Sequence, residues 1–155
     1  MFRFIDFDDL RDDEIKLVIK SKDEPDAKEG FAPRYGFSIV RIKDGQEVGV
    51  VYFAVDTSRR QYMHGHLSYG VSEAFRGQNY AAKACRLMKH VGLAHGFTRL
   101  FVGSGCDNVA SRKTIEKLGA IPIAATDVPD ADILKYLQGE EIDMFYWDIG
   151  GAEVL

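Results

Sequence analysis

The chain has 155 residues, of which 46% are hydrophobic and 28% are charged, and its formal net charge is −4 at pH 7. This length and composition are typical of one globular domain, so we expect a single domain over residues 1–155 with a sizeable core. Only two cysteines occur, without framework spacing, which excludes a disulfide scaffold and favours a reducing compartment such as the cytoplasm. Residues 1–14 carry no basic leader and no long apolar run, so no signal peptide or membrane span is predicted.

The N-terminal third predicts a strand, a helix and a loop. Residues 1–7 alternate phenylalanines with polar residues, which predicts the first strand. Asp8 or Asp9 can cap a helix that runs to about Lys20, with leucine, isoleucine and valine on its apolar side. Residues 21–34 are polar and contain proline and glycine, so they predict a loop.

A predicted hairpin follows. Residues 35–42 and 48–55 are rich in Val, Ile, Phe and Tyr, and Asp44 and Gly45 between them are a strong turn signal. After a polar connection, His64, Gly65 and His66 open the next predicted strand, where histidines two residues apart point to one face. No Cys, Asp or Glu partner is evident nearby, so no metal site is predicted.

The next segment predicts a strand, a loop and a helix. Residues 67–71 have strand character, residues 76–81 form a loop, and apolar residues between 80 and 94 recur at helical spacing. Gly77 and Asn79 tolerate positive φ, so this loop can turn several backbone N–H groups toward one point at the helix N-terminus. Such a loop is either an anion-binding site or a plain strand-to-helix turn.

A second unit repeats the same order of elements. Residues 99–102 predict a strand, residues 103–108 a loop, and residues 109–118 a short helix that Asp107 or Asn108 can cap and Gly119 can end. Two parallel strands that each lead into a helix place two helix N-termini side by side at the strand ends. Open α/β sheets bind ligands at such ends.

The charge of these two units favours an anionic ligand. Eight basic and two acidic residues lie between positions 76 and 117, a net charge of +6, which leaves −10 for the rest of the chain. A basic island in an acidic chain fits a small polyphosphate ligand better than a nucleic acid, which usually needs a broader basic surface. A solvated helix face that is rich in lysine accounts for part of this excess.

The C-terminal residues complete the predicted fold. Residues 121–124 predict a short strand, residues 130–137 a helix, and residues 140–149 a final strand. The order of elements predicts an α/β (α+β) fold with a mixed, mainly antiparallel central sheet of about six to seven strands and helices on both faces.

The two strand–loop–helix units resemble the GNAT superfamily of acetyl-CoA-dependent N-acetyltransferases. The pyrophosphate loop of that family reads Gln/Arg-x-x-Gly-x-Gly/Ala, and residues 76–81 fit it with Asn79 in place of the middle glycine. The second family signature is Asn-x-x-Ser followed by Glu-Lys-Leu-Gly, which Asn108, Ser111 and residues 116–119 match. The two motifs lie at the separation that the family shows, and the predicted order of elements is also that of the GNAT fold.

The resemblance implies an enzyme that transfers the acetyl group of acetyl-CoA to a primary amine, on a small molecule or a protein, by direct attack in a ternary complex. Acetyl-CoA would be the co-substrate and no metal would take part. Backbone N–H groups near Gly70 and Val71 would polarise the thioester carbonyl, and Lys117 would contact the nucleotide. The cofactor-binding residues implied are Val71, Arg76, Gly77, Gln78, Asn79, Tyr80, Ala81, Asn108, Ser111 and Lys117.

The resemblance also implies two catalytic residues. Many relatives place a glutamate general base on the strand before the pyrophosphate loop, and the nearest position here is His66, whose neutral imidazole is a competent base. A packing role for His66 is equally open, and Tyr69 and Glu73 are alternatives. Many relatives place a tyrosine general acid where this chain has Ile115, which leaves Ser111 as the candidate acid.

Two other functions remain open from the sequence. The missing tyrosine also fits a non-catalytic CoA-binding domain on the same fold, whereas a nucleotide-binding domain of another family ranks last because no Walker lysine or complete Gly-x-Gly-x-x-Gly occurs. In the family, the region of residues 21–34 forms part of the acceptor wall. Its acidic residues would suit a cationic amine, or they belong to a solvated surface loop. Relatives with this sheet are often dimers, which leaves a homodimer open; no nucleic-acid or membrane partner is expected.

Overall fold

The strands form two antiparallel sheets. In a computed structural model, which describes residues 2–150, the first sheet has four strands in chain order: β1 (Ile15–Asp23), β2 (Arg34–Arg41), β3 (Glu47–Ala54) and β4 (Leu67–Val71). The second sheet has the order β5-β7-β6 and consists of β5 (Arg99–Gly105), β6 (Ile121–Pro122) and β7 (Ile142–Asp148). All strand pairs in these two sheets are antiparallel.

Four α-helices accompany the strands over residues 2–150. They are α1 (Gln61–His64), α2 (Tyr80–Ala94), α3 (Val109–Lys117) and α4 (Ala131–Gly139). The predicted fold class is confirmed, because seven strands, mainly antiparallel pairing and interspersed helices all occur. The predicted central sheet is divided into the two sheets just described.

Helices pack on both faces of the second sheet. Side chains alternate along its strands, so each face presents apolar residues to a helix. On β5, Leu100 and Val102 are buried in the main core, to which α2 contributes Met88 and Val91. Phe101 points to the other face, where it packs in a second core with Ile133 and Leu137 of α4. This alternation places α2 and α4 on opposite sides of the second sheet.

The predicted N-terminal helix is wrong. Residues 15–23 form the nine-residue strand β1, and Asp12 caps no helix but accepts hydrogen bonds from the backbone N–H groups of Glu14 and Ile15, both at 2.8 Å. Side-chain alternation fits a strand, because Ile15 and Leu17 are buried and Lys16 between them is exposed. Antiparallel pairing with β2 supplies hydrogen bonds along one edge of β1. β-Branched residues such as Val and Ile are favoured in strands.

The predicted first strand over residues 1–7 is also absent within the described part, residues 2–7. This segment instead lies on the end of the main core through its aromatic rings. Phe4 and Phe7 pack edge-on against Tyr35, and the backbone N–H of Ile5 donates to the Tyr35 hydroxyl at 2.8 Å. The same hydroxyl lies 2.6 Å from Nε2 of His95 at the end of α2.

The two sheets meet at His66 and then separate. The backbone N–H of His66 donates to the carbonyl of Phe101 at 2.6 Å, although β4 and β5 belong to different sheets. Gly65 permits this contact because its φ is 71° and a Cβ there would lie 2.9 Å from the Phe101 oxygen. Beyond the contact, β4 leads toward α2 and β5 leads toward α3, which leaves a cleft between them.

Candidate active site

One cleft of about 700 Å³ collects the residues that the two sequence motifs singled out. Its walls are β4, the loop that follows it, the first turn of α2, and one side of α3 from its first turn to its last. All the predicted cofactor-binding residues line it: Val71, Arg76, Gly77, Gln78, Asn79, Tyr80, Ala81, Asn108, Ser111 and Lys117. This volume falls in the range of small-molecule sites, so the two motifs form one ligand-sized site.

The N-terminus of α2 opens onto this cleft with unpaired backbone donors. Asn79 has left-handed backbone angles (φ 63°, ψ 20°) and Gly77 has a φ of 84°, which confirms the predicted use of positive φ in this loop. No side chain caps the helix, and its first turn contains no acidic residue. The first N–H groups of a helix have no intrahelical acceptor and carry a partial positive charge, so this end of the cleft suits an anion.

Lysine and arginine side chains stabilise the loop at this end. The ammonium group of Lys117, on α3, donates to the side-chain oxygen of Asn79, which joins the two motifs directly. Nε of Arg76 donates to the carbonyl of Val71 at 3.0 Å. Lys113 lines the same cleft from α3. The three cations add to the positive potential at the start of α2.

The Asn-x-x-Ser motif acts as a helix cap in this structure. The side-chain oxygen of Asn108 accepts the backbone N–H of Ser111 at 3.0 Å, which is the usual bond of an N-cap residue. Gly119 follows the last turn with a φ of 80°, as the sequence predicts for the helix end. The motif therefore fixes the first residue of α3, and this start places Ser111 in the wall of the cleft.

Tyr69 and Ser111 bring two hydroxyl groups together in the middle of the cleft. The Tyr69 oxygen lies 3.0 Å from Ser111 Oγ and also donates to the Ser111 carbonyl at 3.4 Å. Burial raises the pKa of Tyr69 to about 12, against the opposing effect of its bond to Ser111. The phenol is therefore protonated at neutral pH, so the pair can donate a proton or a hydrogen bond to a ligand.

His66 does not fit its predicted role as the general base. Its side chain is 2% exposed and does not line the cleft. Nδ1 accepts the backbone N–H of Phe101 at 2.9 Å, so Nε2 carries the proton and donates to the carbonyl of Asp56 at 2.9 Å. Burial lowers the pKa of His66, although the Asp56 carbonyl opposes the shift. Both nitrogens are thus bonded to backbone groups, Nδ1 to β5 and Nε2 to the connection after β3, and the neutral form is required.

Stability should fall as the pH drops from about 7.5 to 5.5. Burial lowers the pKa values of His66 and His95 below that of an unfolded histidine, near ~6.5. The unfolded chain therefore binds more protons below this pH. The contribution of the two histidines to the free energy of unfolding is fully present above pH ~6.5 and is lost as the pH falls below it. Urea unfolding at both pH values measures the difference, and His95→Gln should reduce it. An unchanged free energy of unfolding would contradict this account of both histidines.

Ile115, at the position where the resemblance implied a tyrosine, is fully buried in the main core. We therefore expect Ile115→Tyr to overpack this core, at a cost of about 1–3 kcal/mol in the free energy of unfolding, rather than to supply an acid in the cleft. Ile121→Tyr is the matched control, because Ile121 is 48% exposed. Urea unfolding compares the two variants. Equal free energies of unfolding of the two variants would contradict this expectation.

Sequence reasoning missed the position of His64. It does not begin a strand but ends the short helix α1, and its exposed side chain lines the cleft. Gly65 separates the surroundings of His64 and His66, because its positive φ ends the helix and turns the chain into the sheet contact. Glu73, the other alternative base, is not among the residues that line the cleft.

Among residues 3–121, the chain matches the family model described as the acetyltransferase (GNAT) domain. That range covers most of the chain and contains both motifs. The chain belongs to the GNAT acetyltransferase family. A comparison with curated protein sequences gives no match.

Solved structures show the same fold in other GNAT proteins. An acetyltransferase from Agrobacterium tumefaciens superposes with a TM-score of 0.56 at 16% identity, over 74% of this chain and 60% of its own length. The ribosomal-protein-S5-alanine acetyltransferase from Vibrio fischeri gives 0.56 at 15%, over 81% and 66%. A ribosomal L7/L12 alpha-N-protein acetyltransferase in complex with coenzyme A gives 0.55 at 17%, over 79% and 65%. The chain thus matches between 60% and 66% of the length of these three structures.

Two features are absent from residues 2–150. No helix in that part of the chain is long and apolar enough to cross a membrane. No group of three or more His, Cys, Asp or Glu side chains there is placed to hold a metal ion.

Proposed function

We propose that this GNAT protein transfers the acetyl group of acetyl-CoA to a primary amine by direct attack in a ternary complex. One observation carries the proposal: a single cleft joins the uncapped N-terminus of α2 to the Tyr69–Ser111 hydroxyl pair. The first feature suits a diphosphate and the second suits a leaving thiolate, and CoA carries both groups on one molecule. The CoA-bound relative of the same fold adds support.

Different residues along the cleft would bind different parts of acetyl-CoA. The loop of residues 76–81 and the first N–H groups of α2 would bind the diphosphate, with Lys117 on the nucleotide side. Because β4 is the end strand of its sheet, alternate backbone N–H groups near Gly70 and Val71 point away from β3 and can polarise the thioester carbonyl. Asn108 and Ser111 would border the pantetheine arm.

Departure of CoA then requires a proton. As the carbon–sulfur bond breaks, the thiolate would accept a hydrogen bond or a proton from Ser111, with the Tyr69 hydroxyl as its partner. A thiolate is a tolerable leaving group, so a weak acid is sufficient. This assignment replaces the tyrosine acid of many relatives, whose position Ile115 fills here.

The acceptor is proposed to be a small-molecule amine or a protein amine. Two of the similar structures are acetyltransferases of ribosomal protein amines by name, which favours including α-amines in any acceptor panel. Cys85 and Cys106 are unpaired, which fits the cytoplasm. Action as one domain over residues 1–155, the homodimer, and the lack of nucleic-acid and membrane partners stay predictions.

Release of CoA from acetyl-CoA tests the proposal directly. The thiol is detected while the protein is incubated with polyamines, amino acids and peptides that have free α-amines or lysine side chains. We expect at least one acceptor to accelerate thiol release and to gain one acetyl group by mass spectrometry. No release with any acceptor, although acetyl-CoA binds, would contradict transferase activity.

That negative result would favour the alternative, a CoA-binding domain without catalysis. The structure gives this alternative a specific basis: within residues 2–150, the side chains that line the cleft include no aspartate or glutamate. The tyrosine position is also buried and apolar. One efficient acceptor would remove the alternative.

A further inference from the structure

The cleft contains only one side chain that can take a proton from an ammonium group near neutral pH. Among residues 2–150, the ionisable side chains that line it are Arg76, Lys113 and Lys117, which are cationic, the phenols Tyr69 and Tyr80, and His64. Imidazole is the only uncharged nitrogen base in this set. An amine must lose a proton before it can attack the thioester, so the missing carboxylate makes the position of His64 significant.

His64 is available for such a role, whereas His66 is not. The His64 side chain is exposed, and within the described residues no hydrogen bond or ion pair holds its ring. Its one ring contact is edge-to-face with Tyr136 of α4, at 5.7 Å between centroids and 76° between planes. The ring thus packs beside α4, and its nitrogens have no hydrogen-bond partner among the described residues.

His64 also lies at the end of the cleft away from the loop of residues 76–81. It precedes β4, whereas the loop of residues 76–81 follows β4, so the five residues of the strand separate the two. At about 3.3 Å per residue, this strand spans roughly 13 Å. A CoA diphosphate at the start of α2 would therefore place the thioester toward Tyr69 and His64.

Ionisable groups of neighbouring elements surround this end of the cleft. They are Arg59 and Arg60 before α1, Asp130 just before α4, Asp132, Lys135 and Tyr136 on α4, Lys113 on α3, and Tyr69 on β4. Arg59 and Asp130 are paired with each other at 2.9 Å, and Arg60 donates to the Gly30 carbonyl at 2.7 Å. These contacts direct both arginines to partners other than His64.

We propose that His64 is the general base of the acetyl transfer, an inference that rests on the proposed function. A neutral ring nitrogen of His64 accepts one proton from the acceptor ammonium. The amine lone pair then forms the carbon–nitrogen bond while the carbon–sulfur bond breaks. After the carbon–nitrogen bond forms, the acceptor nitrogen loses a second proton, which reaches the sulfur of CoA through the Tyr69–Ser111 pair. The first proton leaves the His64 imidazolium for solvent.

This base should favour α-amines over lysine side chains. An α-ammonium group has an ordinary pKa near ~8, whereas that of a lysine side chain is near ~10.4, so an imidazole deprotonates the first far more readily. The acceptor class expected from His64 is therefore a peptide N-terminus or another amine of similar basicity.

Steady-state kinetics of wild type, His64→Gln and His90→Gln test the proposal, with alanine- and serine-initiated tetrapeptides as acceptors and an N-terminally blocked lysine peptide for comparison. His90 is exposed on α2 and outside the cleft, so it is the matched control. We expect His64→Gln to lower kcat/KM at pH 7 by about 100-fold or more and to remove the acidic limb of its pH profile. Acetyl-CoA affinity should not change. Added imidazole should restore part of the activity of His64→Gly.

The kinetics distinguish failure of the His64 proposal from failure of the proposed transferase function. If wild type acetylates a tetrapeptide but His64→Gln keeps its rate and its acidic limb, His64 is not the base and the transferase stands. If the rate falls but imidazole gives no rescue and the limb persists, the role of His64 is structural and the proposal is overturned. If wild type transfers to no acceptor while acetyl-CoA binds, the transferase and its base are both overturned.

Discussion

Ala81→Asp is expected to weaken acetyl-CoA binding by at least about 100-fold. Ala81 lies in the uncapped first turn of α2 and lines the cleft. A carboxylate there would face the diphosphate, and two like charges 4 Å apart repel by about 4 kcal/mol at the effective dielectric near a protein surface. Since about 1.4 kcal/mol corresponds to a factor of ten in affinity, the repulsion is sufficient for the expected loss.

The same substitution should not destabilise the free protein. An acidic side chain in the first turn of a helix interacts favourably with the helix dipole, by about 0.3–1 kcal/mol. Loss of binding with an unchanged or raised melting temperature would therefore locate the anion site at this helix end. Ala131→Asp is the matched control, because Ala131 begins α4, is exposed and lies outside the cleft. Equal affinity of both variants for acetyl-CoA, measured by calorimetry, would contradict the assignment.

Ser111→Ala and Tyr69→Phe are expected to lower kcat about tenfold to 100-fold each, with little change in the KM for acetyl-CoA. General acids contribute about 10²–10⁴ in rate, and a thiolate needs less help than most leaving groups, so we expect the lower part of that range or below. The two hydroxyls are 3.0 Å apart and would act as one donor. The double variant should therefore be no slower than the slower single variant.

A hydroxyl removed elsewhere provides the control for this pair. Ser38→Ala lies on β2, outside the cleft, and should leave kcat unchanged. Effects of Ser111→Ala and Tyr69→Phe that multiply in the double variant would mean independent roles. Unchanged kcat in both single variants would remove the pair from the mechanism and leave the thiolate to depart without a protein acid.

The sequence predicted the parts of the site that depend on local chemistry. Positive φ at Gly77 and Asn79, the N-cap at Asn108 and the helix end at Gly119 each follow from a residue type and its nearest neighbours. The ligand-sized cleft then follows, because two such helix starts lie next to each other.

Tertiary contacts decided what the sequence could not. Leucine, isoleucine and valine between residues 10 and 19 fit a helix face as well as a strand, and pairing with β2 selected the strand. The Tyr69–Ser111 contact joins residues 42 positions apart, and no local pattern encodes it. His64 and His66 differ in exposure because Gly65 turns the chain between them, so spacing alone could not tell which of the two lines the cleft.

Thermal unfolding with and without acetyl-CoA is the most direct test of the central claim that this cleft binds the cofactor. A ligand at about 100 times its dissociation constant adds about 2.7 kcal/mol of stability, which is easily seen as a rise in melting temperature. We expect acetyl-CoA and CoA to raise the melting temperature of wild type and Ala131→Asp, NAD to leave it unchanged, and Ala81→Asp to show no rise. An unchanged melting temperature of wild type with saturating acetyl-CoA would contradict the account.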